Sequence, residues 1–385
     1  MLFESLGRIY MKSGRAQDAL NQYEAGVTTS RKMVERDSGD ALKQRQLSSS
    51  LSALGTAYLH LGRTHEALKH FREHVKIARK LAEDDANNIE KQLHLAAALG
   101  GLGDVYMKLG RAEEAIKRYE ERLTITRKLA EADAKNADKQ FRLSAALDGL
   151  GGVYADSGRM EEAIKRYEDR LKIIYKLAEA ADPKDALTQE QAILACEHLG
   201  FMQKEIGNYE LAIKRFQLGL ALLDKVIDAK GHIESADDKR AFVKQKISDC
   251  NRAIVATGDW ETLLKTDAKE LPRLLSLRAT ELAKHGRLGD VEQAAARLRE
   301  WKPSSGDTRY GSARAYGLCA LLVVKGKAKP SDDEVKLKRK YTDLALTCLK
   351  EAIAAGYKNF DQMKKDPDLA ALRDLPEFQA LFPKK

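Results

Sequence analysis

His70-Phe71-Arg72-Glu73-His74 is the segment whose residue types most suggest chemistry. Two histidines four apart share one face of a helix, where they could hold a zinc ion while the glutamate serves as base. His60 and His65 lie close by in sequence and could add adventitious ligands. Gly100-Gly101-x-Gly103 and Gly149-x-Gly151-Gly152 loosely resemble a loop that cradles phosphate, which must follow a strand and open a helix. The formal charge of +9, from 67 basic and 58 acidic residues, raises nucleic acid as a partner. No Ser/His/Asp or Cys/His arrangement assembles by spacing. Cys196, Cys250, Cys319 and Cys348 are scattered without a CxxC pair, which fits buried thiols in a reducing cytoplasm.

The elements that would position these groups are set by composition and by a repeat. At 385 residues the chain has room for two or three ordinary domains. Hydrophobic residues make up 43% and charged residues 32%, enough for a core and a solvated surface. Aromatics are only 6%, and the first of 7 prolines is Pro183, so the long N-terminal stretch has no helix breaker. That predicts a nearly all-helical protein and excludes a barrel or sandwich. No apolar run approaches a membrane span, and the start lacks the pattern of a secretory signal.

Glycines recur at Gly7, Gly55, Gly103, Gly151 and Gly200, with steps of 48, 48, 48 and 49. Gly14, Gly62, Gly110, Gly158 and Gly207 follow seven residues later, then Ala19, Ala67, Ala115, Ala163 and Ala212. An aromatic closes each set at Tyr23, Phe71, Tyr119, Tyr167 and Phe216. Tyr10, Tyr58, Tyr106 and Tyr154 form a further file, interrupted at Gln203. Each unit reads as two helices. Leu95, Leu99, Leu102 and Tyr106 make an apolar stripe on the first, and Gly110 ends it in a left-handed turn. The second opens at Glu113-Glu114, closes at Arg127-Lys128 and has an apolar face of Ala115, Tyr119, Leu123 and Leu129. A unit this thin must stack on its neighbours.

The register weakens each chemical reading. His70 falls in line with Arg118, Arg166 and Arg215, and His74 with Arg122 and Arg170, as ordinary polar positions of the second helix. The glycine clusters sit inside a helix at the close-packing site. Lys117-Arg118 and Lys165-Arg166 fall four residues after acidic pairs, so they read as i, i+4 partners, against a nucleic-acid surface. We therefore expect no catalytic, cofactor or metal residues.

Beyond Lys230 the copies change. Residues 235–265 read as a degraded pair with Gly258 as turn and Trp260 starting a short helix; 272–303 return to standard length, stopped by Pro303. Lys325 to Lys340 reads as a basic solvated loop inside the final pair, with short capping turns after it. The expected parts are 1–232 (five long repeats, the first truncated), 233–305 and 306–385.

The landmark order (Leu, Gly, Tyr, then Ala and an aromatic) resembles the tetratricopeptide repeat, usually 34 residues, here lengthened by two heptads. The resemblance implies an all-α, right-handed α-solenoid of stacked helix-turn-helix repeats with helices of roughly 20 residues. The linker Leu129-Ala-Glu-Ala-Asp…Asn136-Ala-Asp-Lys-Gln and the tail Ala355-Gly-Tyr…Lys365-Asp-Pro-Asp-Leu…Leu372-Arg resemble repeat regions of planctomycete-type bacterial proteins, many of which follow a Ser/Thr kinase domain. Ala134 departs from the proline usual in that linker; Asp182-Pro183 keeps it. No kinase motif occurs in these residues. Because the first unit lacks its opening heptad and Met1 falls within a helix, the chain reads as a piece of something longer, with an upstream kinase as one parent.

What the resemblance implies is protein binding along a concave groove lined by the first helix of each pair. The candidate residues are Ser52, Thr56, Asp104, Met107, Asp148, Glu197, Phe201 and Lys204. Chaperone-binding relatives clamp a terminal carboxylate with asparagine and lysine; those places here hold Ser52, Thr56 and Asp104, against such a clamp, while Asp104, Asp148 and Glu197 better suit an extended or basic segment. The expected function is a non-catalytic cytoplasmic scaffold in bacterial signalling. The alternatives are a detached kinase region or a basic nucleic-acid-associated protein.

Overall fold

The computed structural model describes residues 2–182, 184–229, 231–302 and 304–382; the expectations placed on Met1, Pro183, Lys230 and Pro303 lie outside the described residues. Every described regular element is helical. The long repeats form antiparallel pairs: α1 (Leu2–Lys12) with α2 (Ala16–Arg36), α3 (Ala41–His60) with α4 (Thr64–Asp84), α5 (Ile89–Lys108) with α6 (Ala112–Ala132) and α7 (Ala137–Asp156) with α8 (Met160–Ala180). Then come α9 (Ala186–Glu205) and α10 (Tyr209–Asp228). Helices α3 to α10 have 20 or 21 residues, the expected long arms. This is an α-solenoid of stacked pairs.

Two short motifs in the sequence shape each unit. At the turn, Gly110 takes φ +70°, a conformation in which a side chain would strain the backbone. Arg111 N–H then donates to the Tyr106 carbonyl at 2.9 Å, and its guanidinium lies 4.9 Å over the Tyr106 ring. Arg63 over Tyr58 and Arg159 over Tyr154 repeat the arrangement at 4.6 and 4.7 Å. In the fifth copy Gln203 and Asn208 replace the tyrosine and the arginine together. Between units, Asn136 accepts from Lys139 N–H at 3.1 Å and caps α7. Lys139 Nζ reaches back to Asp133 at 3.0 Å, and the Gln140 amide donates to the Ala130 carbonyl at 3.1 Å. The linker's Asp, Asn, Lys and Gln therefore fasten one pair to the next.

The stack is closed by rings seated on glycine. Tyr119 occupies the space where a Cβ on Gly103 of its own pair, or on Gly149 of the next, would come within 2.5 and 2.6 Å. Phe71 is held likewise between Gly55 and Gly101. Around these rings Leu99, Leu147 and Leu150 are fully buried, each stabilising by about 1.5–3 kcal/mol.

The chain divides into two compact units. The first runs to Ile206 and includes Arg215–Arg240; the second takes Gly207–Lys214 and continues from Ala241. Helix α11 (Ala236–Thr257), most of it in the second unit, is full length, and only its partner is cut short, as α12 (Trp260–Leu264). Next come α13 (Leu271–Lys284), α14 (Leu288–Glu300), α15 (Gly306–Val324) and α16 (Asp332–Ala354). The short turns α17 (Phe360–Lys365), a 3-10 helix (Pro367–Leu372) and α18 (Pro376–Gln379) finish the chain. Tyr310 donates to Asp366 at 2.7 Å, and Arg314 binds Asp366 and Asp368 at 3.0 and 2.6 Å, so the tail is bolted to α15.

Three expectations need correcting. The basic stretch Lys325 to Lys340 is not one loop: α16 begins at Asp332. Ser331 and Glu334 form a capping box, and three acids in the first turn favour the helix start, so the later basic residues are helical. Arg127-Lys128 do not end α6, which continues to Ala132, and its buried face runs through Thr126 and Ala130. Glu114 pairs with the turn residue Arg111, and Arg118 pairs with Glu121 at 3.0 Å, not with the acids four residues earlier. The cause is the turn: Arg111, held on Tyr106, is already in reach of Glu114.

Candidate functional site

The odd-numbered helices α1, α3, α5 and α7 touch one another in succession, forming a continuous face beside the aromatic core. At its start a cavity of about 610 Å³ is lined by Glu4 and Arg8 of α1 and by Ala53, Thr56 and His60 of α3. Thr56 is exposed, and its hydroxyl donates to the carbonyl of half-buried Ser52 at 2.9 Å. Met107 is half-buried against the core.

The carboxylates on this face differ in their freedom. Asp104 is exposed yet accepts the Tyr119 hydroxyl, whose deprotonation is pushed upward by burial and by that carboxylate. Asp148 meets the Arg170 guanidinium at 2.7 Å and His198 Nδ1 at 3.4 Å. Burial pushes its carboxyl up, but His198, Arg170 and Arg122 outweigh that and hold it below the usual range. Glu197 is half-buried, and burial raises its carboxyl against the opposing charges of His198 and Lys239. Phe201 is half-buried, edge-on to Phe216 at 5.3 Å, and Lys204 is half-buried at the end of α9. Of the eight residues, Ser52 and Thr56 lie on α3, Asp104 and Met107 on α5, Asp148 on α7, and Glu197, Phe201 and Lys204 on α9; Asp104 and Asp148 already serve the fold.

The even-numbered helices contribute groups that a reading of polar positions overlooks. His74 and Arg170 are not ordinary polar positions: each is only 3% exposed. Ser48 Oγ lies 2.7 Å from His74 Nδ1 and 2.9 Å from His94 Nε2, a pairing satisfied when His94 donates to Ser48 and Ser48 donates to His74. Arg170 also donates to Gln191 at 3.1 Å. His70 instead stacks on Tyr58, 5.4 Å between centroids, so the two histidines of the H-x-x-E-H spacing are spent on different packing tasks. The signal was the register: one position holds Gly26, His74, Arg122, Arg170 and Gly219 in turn. A position that holds glycine in the outer two copies and a long polar residue in the inner three faces a neighbour that differs from copy to copy.

A profile of the tetratricopeptide repeat family matches residues 46–128 and 94–176. Residues 46–176 are tetratricopeptide repeats. Among solved structures, BtubC (BKLC) from P. vanneervenii is similar at 15% identity and TM-score 0.43, over 73% of this chain and 89% of that one. Kinesin light chain TPR-like repeats from Podosopora anserina show 20% identity and TM-score 0.42, over 59% and 93%. The apo form of RapI shows 12% identity and TM-score 0.45, over 92% and 98%. No curated protein matches the sequence. Among the described residues no helix is long and apolar enough to cross a membrane. The glycine clusters Gly100–Gly103 and Gly149–Gly152 lie within the tetratricopeptide helices α5 and α7, against side chains such as Phe71, Tyr119 and Tyr167.

Proposed function

We propose that the chain is a non-catalytic protein-interaction scaffold, and that the face of the odd-numbered helices is the concave groove in which segments of partner proteins lie. The observation that carries this reading is the division of labour along the repeat. Phe71, Tyr119, Tyr167 and Phe216 are buried in the stack, while Thr56, Asp104, Gly152 and Phe201 recur at the repeat spacing on the face left accessible. A binding surface repeated in this way spreads affinity over several units. Much of the basic charge is spent on pairs such as Arg79–Glu121, Arg31–Glu73 and Arg45–Glu90, which disfavours the nucleic-acid reading. The linker and tail resemblance supports a role as the regulatory region of a longer bacterial signalling kinase, working in the cytoplasm where the four cysteines stay as thiols.

Selection from a library of displayed peptides on the whole chain tests the groove. Binders should compete with one another and be lost in Thr56→Arg/Asp104→Arg, which blocks the face with bulk and charge. Binders that persist in that variant, or none at all from a diverse library, overturn the reading.

A further inference from the structure

Arg122 occupies on α6 the position that Arg170 occupies on α8, but its surroundings differ. Arg170 is paired with Asp148 of its own pair and donates to Gln191 of the following helix, where His198 also holds Asp148. Shifting by the repeat, 48 residues within a pair's span and 49 across the 181–185 linker, puts Gly100, Gly149 and Arg142 in those three places. The carboxylate and the imidazole become hydrogen atoms, and the amide becomes a like charge. The guanidinium lies directly over the vacated sites: a Cβ on Gly100 would be 3.0 Å from Nη1, and one on Gly149 3.6 Å. Arg122 makes no hydrogen bond or ion pair through its side chain among the described residues. Asp148 is near enough to feel its charge but is held by Arg170 and His198.

The space beside this cation is a cavity of about 350 Å³ between α5 and α7. Leu93 and Ala97 on α5 and Phe141 and Ala145 on α7 give it apolar wall, and Thr126 beside Arg122 has its hydroxyl bonded to the Arg122 and Leu123 carbonyls. Arg142 and Asp138 at its edge pair with each other at 2.8 Å, so they cancel and leave Arg122 as the unmatched charge. A half-buried guanidinium with an apolar floor favours a planar anion that brings its own apolar neighbour, because the fork of donors fits a carboxylate in a bidentate way.

We propose that this cavity recognises a glutamate or aspartate side chain in an extended partner segment, with an adjacent apolar residue seated against Leu93, Ala97, Phe141 and Ala145. The site rests on the groove reading above and gives it a chemistry opposite to the basic segment that Asp104 and Asp148 had suggested. An internal residue suits it better than a chain end, since apolar wall lies on both helices and a passing segment covers both.

Capped synthetic decapeptides provide the test, each holding one glutamate or its glutamine counterpart beside leucine or beside serine, against the whole chain. Glutamate beside leucine should bind best, and glutamine should weaken it by about tenfold or more, the worth of one charge-assisted pair. Arg122→Gln should remove the preference for glutamate. Gly100→Asp should remove it too, by supplying internally the carboxylate that Asp148 supplies to Arg170, and it should keep or raise the melting temperature. The second variant carries the test should Arg122→Gln not fold. Equal binding of glutamate and glutamine peptides, or a preference that survives either variant, overturns the pocket while leaving the groove. Uncapped peptides that bind through their terminal carboxylate and depend on Arg122 overturn the side-chain assignment. Failure of every peptide to bind overturns both pocket and groove.

Discussion

Asp148 on α7 and Arg170 on α8 meet at 2.7 Å, with the arginine side chain 3% exposed and the aspartate 37%. The pair lies across the seam of one repeat and is extended to the next through His198 and Gln191. An aspartate on a helix face open to solvent is therefore a fastening between units. Asp148→Asn leaves a buried guanidinium short of its counter-charge and should cost about 2–4 kcal/mol in urea unfolding. Asp148→Asn combined with Arg170→Met should recover most of that loss, since no charge remains buried. Equal losses in single and double variants would show that the pair carries no such coupling.

The Ser48–His74–His94 contact makes the second repeat sensitive to acid. Burial, aided by the neighbouring His94, lowers His74 to about 3, and burial also lowers His94. A histidine held neutral when folded takes up its proton only on unfolding. Its stabilisation is thus present above its unfolded value, near 6.5, and is lost as pH falls toward 3. Unfolding free energy should fall by about 1.4 kcal/mol per pH unit through that window for His74 alone. His74→Gln should flatten the slope between pH 6.5 and 4, as read from denaturation midpoints. An unchanged slope would place the acid sensitivity elsewhere.

Tyr119 is wedged between Gly103 and Gly149 with no room for a methyl group on either. Gly149→Ala should cost about 1–3 kcal/mol through displacement of the ring. Its effect on hydrogen exchange should be concentrated in α5 to α8, because each repeat touches only its neighbours. A loss spread evenly over both compact units would contradict nearest-neighbour stacking.

All four cysteines are buried, and burial pushes the Cys196 and Cys319 thiols up to about 12. Thiolate is the reactive form, so the native chain should react slowly with a disulfide reagent at pH 8. Four thiols should titrate promptly in denaturant. Prompt reaction of any of them in the native chain would point to an opening of its helix pair.

The 48-residue register by itself determined the helix pairs, their turns and the ring-on-glycine seams. Those features depend on residue size and backbone freedom at positions fixed by the repeat, and Gly110, Tyr119 and Gly149 announce them directly. The linker was also legible once read as capping chemistry, since Asn136, Lys139 and Gln140 act within ten residues of their partners. The start of α16 was written in Ser331-x-x-Glu334, a local signal that the basic residues around it obscured.

Only the tertiary structure decided what the polar positions do. Whether His74, Arg122 and Arg170 face water depends on the helix packed opposite, and their partners are 21 to 28 residues away or are missing altogether. Periodicity tells which side of a helix is buried but not what it meets across the seam. A single glycine at 100 where the next repeat has Asp148 turns an ion-paired arginine into an open one. That difference is an electrostatic balance between side chains on three helices, so it exists only once the helices are stacked.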